Sequence, residues 1–265
     1  MPERVLLTGA AGGIGTLMRS RLAKPGRVLR LLDIAPVAAP EDGEQVEVVR
    51  SSVTDLAGML DASRDVDVVV HLGGISVERP WQEILEINIH GTYAVLEAAR
   101  AARVPRVILA SSNHAVGFRP LDGTPVPDYE LPRPDTYYGV SKVSMEALGS
   151  LYHDRYGLDV IVIRIGSCFE RPRDERMLST WLSPDDCARL FEAAITTPSP
   201  GFRIVWGASS NTRGMFSLAE AKAIGYEPRD DSEAFAGEVE PSSAFDRKFV
   251  GGGFCSPDLD AEVIA

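Results

Sequence analysis

Residues 8–15 read Thr-Gly-Ala-Ala-Gly-Gly-Ile-Gly, directly behind the apolar run Val5-Leu6-Leu7, and Tyr138-Gly-Val-Ser-Lys142 follows in the middle of the chain. The first string suits a strand-to-helix turn that cradles a phosphate. Gly9 permits the tight turn, Gly12 lets backbone approach a pyrophosphate, and Gly15 allows close packing of helix on strand. Gly13 and Ile14 open a helix whose N-terminus attracts the anion. The second string is a proton-transfer pair. A phenol with a reference pKa of about 10 is a poor base near neutrality, and a lysine one helical turn away supplies the positive charge that favours the phenolate. Tyr138 can then take a hydroxyl proton while hydride leaves the same carbon for a nicotinamide. Glycine clusters are common and a Tyr/Lys helical pair can be a surface contact, but in this order the two point to a nicotinamide-dependent enzyme.

Asp33 closes the second apolar run, where a carboxylate accepts from the adenosine ribose hydroxyls and repels a 2′-phosphate, which favours NAD over NADP. Leu72-Gly73-Gly74 ends the fourth run with two residues lacking bulk, so a nicotinamide nucleotide can pass close to the backbone there, unless these glycines simply turn the chain. Of four histidines, only His114 lies at the carboxyl end of an expected strand beside catalytic candidates, and it fits either substrate contact or strand-end structure. His71 falls inside a strand and reads as a buried structural residue; His90 and His153 fall on helices. The segment Arg171-Pro-Arg-Asp-Glu-Arg176 holds three arginines, of which at least one should face the cleft and grip a carboxylate bidentately. The apolar Met177, Leu178 and Trp181 turn the chain inward after Arg176, whereas Arg171 and Arg173 suit a solvated cluster.

These side chains need a scaffold, and the spacing of apolar residues supplies one. The first two-thirds alternates short β-branched runs with stretches of helical period, the pattern of an α/β, Rossmann-like, doubly wound parallel sheet. Expected strands are 4–8, 28–32, 46–50, 66–72, 106–110 and 159–165, with helices at 13–23, 81–102 and 138–156. The stretch Pro120 to Pro134 interrupts the rhythm and reads as a surface loop. Beyond Ile165, Ser183-Pro-Asp-Asp186 opens a helix to about Ile195, Phe202–Trp206 is an expected strand and Leu218–Ile224 a short helix. The chain reads as a single domain over 1–265, with a dinucleotide-binding core of about 1–170 and a small C-terminal substrate-binding lobe mainly over 171–265.

With 27 basic against 38 acidic residues, a formal charge of −11 and no basic cluster, nucleic acid and anionic membrane surfaces are poor partners. Cys168, Cys187 and Cys255 show neither disulfide nor metal spacing, so no metal is expected and a reducing cytoplasm suits them. Met1-Pro2-Glu3-Arg4 runs straight into the first strand, without the length of a signal peptide, and no apolar run is long enough to span a bilayer.

Through Thr8-Gly-Ala-Ala-Gly-Gly-Ile-Gly15, Ala110-Ser-Ser-Asn-His-Ala-Val-Gly117, Tyr138-Gly-Val-Ser-Lys142 and Asn88, the chain resembles the extended short-chain dehydrogenase/reductase superfamily. Gly73-Gly-Ile-Ser-Val77, Ser111-Ser-Asn-His114, Arg164-Ile-Gly-Ser-Cys168 and Arg176-Met-Leu-Ser-Thr-Trp181 narrow the resemblance to the uronate dehydrogenase family, over nearly the whole chain. The resemblance implies Ser112 as the catalytic serine, Lys142 also holding the nicotinamide ribose, Asn88 on the cofactor side, and Arg176 as the carboxylate-gripping arginine. It places Ser76, Asn113, His114 and Ser167 at the substrate. It implies NAD-dependent oxidation of a free sugar acid, glucuronate or galacturonate, at C1 to the aldarolactone, by an enzyme that pairs as a homo-oligomer through the 81–102 and 138–156 helices. One departure stands out: extended members usually place Asp where this chain has Ser52, so adenine recognition rests more on the Val53 backbone. The competing readings are a nucleotide-sugar epimerase or dehydratase, which needs a larger C-terminal lobe, and a non-catalytic dinucleotide sensor, in which loss of Tyr or Lys is usual.

Overall fold

Residues 3–259 are described by a computed structural model. In chain order its elements are β1 (Glu3–Thr8), α1 (Gly13–Leu22), β2 (Arg27–Asp33), β3 (Val46–Arg50), α2 (Leu56–Ala62), β4 (Val68–His71), α3 (Trp81–Glu83), α4 (Gly91–Ala101), β5 (Arg106–Ser112), α5 (Tyr137–Tyr156), β6 (Asp159–Ile165), β7 (Ser167–Cys168), α6 (Met177–Thr180), β8 (Trp181–Leu182), α7 (Pro184–Thr196), β9 (Phe202–Gly207) and α8 (Ala219–Ala223). A π-helical stretch, Ile84–His90, joins α3 to α4 without a break. Met1 and Pro2, expected to lead into the first strand, and residues 260–265 of the expected lobe lie outside the described residues.

Seven strands form one parallel sheet in the order β3-β2-β1-β4-β5-β6-β9. Because side chains alternate across a strand and both faces are covered, each strand divides its apolar residues between two cores. Val5, Leu7, Ile108 and Ile161 face α1 and α7 in one cluster. Leu6, Leu109, Val160 and Val162 face α2, α4 and α5 in the other. The order reverses between β1 and β4, which opens a crevice at the carboxyl ends of these strands, where open α/β sheets bind ligands.

The expected strands and long helices match the observed ones to within a few residues at their ends. Helix α2 was not expected, although Asp55 carries its signal: the carboxylate caps the helix by accepting from the Ala57 and Gly58 amides, both at 3.1 Å. The proline-rich stretch is not simply a surface loop. It carries Val126, fully buried, into a third core cluster with Val116, Trp206, Phe216 and Val250, and Val126 bridges to Phe216. That cluster packs the chain beyond residue 208 against the carboxyl end of β5, beside the candidate catalytic residues.

Candidate active site

The crevice holds a cleft of about 440 Å³ lined by Gly9, Gly12, Asp33, Ser52 and Val53 and, from the other side, by Leu72, Gly73 and Gly74. Gly9 has φ +71°, and a Cβ there would lie 2.6 Å from the Gly73 nitrogen. A Cβ on Gly15 would lie 2.2 Å from the Gly9 carbonyl oxygen, so this glycine is what lets α1 start so close to β1. Ile14 turns away from the cleft to pack on the core. Asp33 is fixed at the end of β2 by accepting from the Ala11 and Ala35 amides, both at 2.9 Å. The Ser52 hydroxyl bonds to Thr54 Oγ1 at 2.8 Å. Residues that the sequence did not single out, among them Ala11, Ile34 and Ile75, complete the wall. Asn88 acts at one remove: its Oδ1 accepts from Ile75 N (2.8 Å), and its Nδ2 donates to Ile75 O and Ser141 Oγ, both at 3.0 Å. The amide is used up in pinning the loop after Gly74 to α5.

Helix α5 presents Tyr138 and Lys142, both buried, at the carboxyl end of β5. Its start is fully provided with acceptors. Thr136 Oγ1 accepts from Gly139 N at 3.0 Å, and the buried Glu78 carboxylate accepts from Tyr137 N (3.1 Å) and Tyr138 N (2.8 Å). Helices leave these amides orphaned unless something outside takes them. Burial pushes the Tyr138 phenol up to about 12, partly opposed by a hydrogen bond with the Ser112 hydroxyl. The Lys142 ammonium lies 5.3 Å from the Tyr138 ring centroid and donates to Ala110 O at 2.8 Å. Burial pushes it down to about 8 against the pull of Glu146. The expected lowering of the phenol by Lys142 is not found: desolvation, which disfavours the charged form of both groups, and the nearby Asp135 charge raise it instead. His71 is buried as expected, its Nδ1 2.8 Å from Thr8 Oγ1, and burial with the nearby Lys142 charge holds it down to about 3.

On the other side of Tyr138 lies a second group of polar side chains. His114 stands edge-on to Tyr138 with ring centroids 5.7 Å apart, and stacks on Phe254 at 4.1 Å. With its side-chain amide turned so that the oxygen faces the guanidinium, the orientation that satisfies both of its ends, Asn113 accepts from Arg176 Nη2 at 2.8 Å and donates to Ile165 O at 3.2 Å. Arg176, only 10% exposed along its side chain, also donates to Val250 O, while its Nε is buried with no hydrogen-bond partner among the described residues. Burial pulls this guanidinium down from its ordinary range, with Asp246 foremost among the carboxylates opposing the shift. Gly252 makes the cover possible, since a Cβ there would lie 2.6 Å from Arg176 Nε. Ser167, in the short β7–β8 ladder, bonds to Thr180 Oγ1 at 2.9 Å. Ser76 is exposed on the loop after β4 and makes no hydrogen bond to another candidate among the described residues. The 246–255 segment that covers Asn113, His114 and Arg176 was not legible as part of the site.

Residues 5–184 match the NAD dependent epimerase/dehydratase family. A uronate dehydrogenase from Pseudomonas putida is 45% identical over 91% of this chain and 90% of its own length. The chain belongs to this family, and within it to the uronate dehydrogenase group. Among solved structures, a uronate dehydrogenase mutant from Agrobacterium tumefaciens, complexed with NAD, aligns with TM-score 0.89 at 40% identity over 96% of this chain and 97% of that one. A glucuronic acid dehydrogenase from Chromohalobacter salexigens aligns with TM-score 0.90 at 40% identity, over 96% and 97% of the two chains.

For a member of an NAD-dependent family the cleft must accept a dinucleotide, and its residues fit one. No side chain caps α1, whose N-cap is Gly12, so its first-turn amides are available to a pyrophosphate. At Gly13 the position of a Cβ has nothing within 4 Å, the open space that close approach of a ligand to the backbone requires. Asp33 stands at one end of the cleft and Gly73–Gly74 towards the other, on the Tyr138 side. Among the described residues no cluster of side chains suits a metal ion, and no helix is long and apolar enough to cross a membrane.

Proposed function

We propose that this chain oxidises a uronic acid, glucuronate or galacturonate, at C1 to the aldarolactone, with NAD as oxidant. The observation that carries the substrate class is Arg176: a nearly buried guanidinium beside Asn113 whose nearest carboxylate among the described residues, Asp246, stands off at 4.0 Å, so that its charge lacks a close counter-ion that a substrate carboxylate would supply. The sugar-acid relatives agree with this reading.

In the proposed reaction, Arg176 and Asn113 hold the C6 carboxylate, with Ser76, Ser167 and His114 on the remaining sugar oxygens. This turns C1 towards Tyr138. Ser112 donates to the C1 oxygen and Tyr138 Oη takes its proton as the C1–H bond breaks. NAD, when bound, supplies the acceptor for the C1 hydride and a positive ring charge of the sign that favours a phenolate. Lys142 holds the nicotinamide ribose, the amides of Gly13 to Gly15 the pyrophosphate, and Asp33 the adenosine ribose. In this division of labour the core to about residue 170 binds NAD and the residues beyond hold the sugar. We assign the active form to the cytoplasm, in keeping with three free thiols, and to a homo-oligomer.

The deciding experiment is a panel of glucuronate, galacturonate, glucose, galactose and a nucleoside-diphosphate sugar, each with NAD, followed by reduced-nicotinamide absorbance. Net reduction with the free uronic acids supports the reading. A sugar nucleotide converted without net reduction returns the chain to the epimerase/dehydratase chemistry of its wider family.

A further inference from the structure

Asp135, the residue before the α5 cap, has a side chain with no exposure to solvent. Three glycines from three separate segments leave it room. A Cβ on either Gly117 or Gly251 would lie 1.9 Å from Asp135 Oδ2, and one on Gly139 would lie 3.0 Å from Oδ1. A carboxylate hidden this completely needs partners. Oδ1 accepts from Thr136 Oγ1 at 3.0 Å, and Oδ2 meets His114 Nδ1 at 2.7 Å. An ionised carboxylate only accepts, so the proton of this contact sits on His114 Nδ1, and in the neutral imidazole Nε2 is then the bare acceptor. Nε2 makes no hydrogen bond among the described residues. The ring has little freedom to turn, being stacked on Phe254 and edge-on to Tyr138.

We propose that Asp135 is a positioning residue of the sugar site: it fixes the tautomer and plane of His114 so that Nε2 accepts a hydrogen bond from a hydroxyl of the bound sugar. This rests on the reading of the site as one for a polyhydroxy acid. A carboxylate behind a histidine is a general way of setting which ring nitrogen faces outward. Neither His114 nor Asp135 lines the dinucleotide cleft, so the device should affect the sugar and leave cofactor binding alone.

The test is a double-mutant cycle in the full chain with Asp135→Asn and His114→Ala, measuring kcat/KM for the free uronic acid and the NAD dissociation constant. Asp135→Asn should lower kcat/KM by about tenfold to a hundredfold, the scale for losing a carboxylate that orients a metal-bound histidine, with NAD affinity unchanged. In the His114→Ala background the same substitution should cost several-fold less, the remainder being the direct effect of the Asp135 charge on the Tyr138 phenol. An equal loss in both backgrounds, or a parallel loss of NAD affinity, overturns the proposal. If the wild type turns over a different sugar, the uronate reading falls and the cycle is read on that sugar: coupling there keeps the role of Asp135, and additivity removes it too. Nitrogen-15 NMR of the NAD-loaded protein gives a readout independent of turnover. His114 should carry its proton on Nδ1 in the wild type, and an Nε2-protonated ring there overturns the assignment.

Discussion

Glu78 and Tyr138 are joined through the main chain, the glutamate Oε2 accepting from the tyrosine N–H at 2.8 Å. With Oε1 on Tyr137 N at 3.1 Å, one carboxylate from the loop behind Gly73–Gly74 holds the first turn of the helix that carries the expected base. The arrangement also places negative charge at a helix N-terminus, where the dipole favours it. Glu78→Ala should cost about 1–2 kcal/mol, the scale for losing a cap, and should lower kcat several-fold by loosening Tyr138. Urea unfolding at neutral pH measures the first and steady-state kinetics the second. A variant as stable and as active as the wild type would show that the cap contributes nothing.

Tyr138→Phe keeps the ring and removes the atom assigned to take the proton. Turnover should fall by about a hundredfold or more while NAD binds nearly as before. Lys142→Ala should damage both, because its ammonium is assigned to the cofactor as well as to the phenol. Retention of more than about a tenth of the activity in the phenylalanine variant would require another base.

Lys142 also leaves a mark on stability. In the folded chain burial holds its pKa near 8, against 10.5 as the ordinary value. Between these values the unfolded chain binds the extra proton, so stability rises with pH across this window; below about 8 the cost of burying the charge is present in full. Lys142→Met should therefore be more stable than the wild type at pH 7, by up to about 3 kcal/mol less the lost bond to Ala110 O, and the advantage should vanish towards pH 10.5. Urea midpoints at the two pH values decide it, and a constant difference would mean that the ammonium is not desolvated.

What could be read from the sequence was whatever the chemistry ties to near neighbours. Gly9, Gly12 and Gly15 announce their turn within eight residues, and Tyr138 and Lys142 need only one helical turn between them. The strands were legible because unbroken apolar runs such as Val5, Leu6 and Leu7 encode two covered faces. Asp135 was not, because its meaning lies in His114, 21 residues back, and in Gly251, far along the chain. Nor was the covering of Arg176 by Val250, 74 residues away. Val126 hides in a proline-rich stretch whose composition speaks for solvent, and only the fold shows that it packs with Trp206 and Phe216. The shift of the Tyr138 phenol went the other way from expectation for the same reason: one sequence shows the neighbouring charge but not the depth of burial.

Asp33 should keep NADP out. Its carboxylate is held by two backbone amides, so it cannot swing away from a 2′-phosphate, and like charges would face each other there. Steady-state kinetics should show kcat/KM for NAD well above that for NADP, with Asp33→Ala narrowing the ratio mainly by losing affinity for NAD. Comparable constants for the two cofactors in the wild type would remove the role given to Asp33.

Arg176 separates a sugar-acid enzyme from a general sugar dehydrogenase. If its guanidinium and Asn113 hold the C6 carboxylate, the far end of the sugar is fixed and binding energy remote from C1 serves to orient the reacting bond. Arg176→Ala should then cost about 2–5 kcal/mol in kcat/KM for uronic acids, the scale for truncating one partner of a buried charge pair. Arg176→Lys should recover only part, because a point charge cannot reproduce the planar fork and the lysine would lose the bond to Val250 O as well. Glucose and galactose, which lack the carboxylate, should be poor substrates of the wild type and nearly indifferent to the alanine change. That contrast matters because Arg176 also ties the 246–255 segment to the site, so a purely structural role would lower activity on acidic and neutral sugars alike. Equal losses on both would make the arginine a strut, and the substrate class would then have to rest on other side chains.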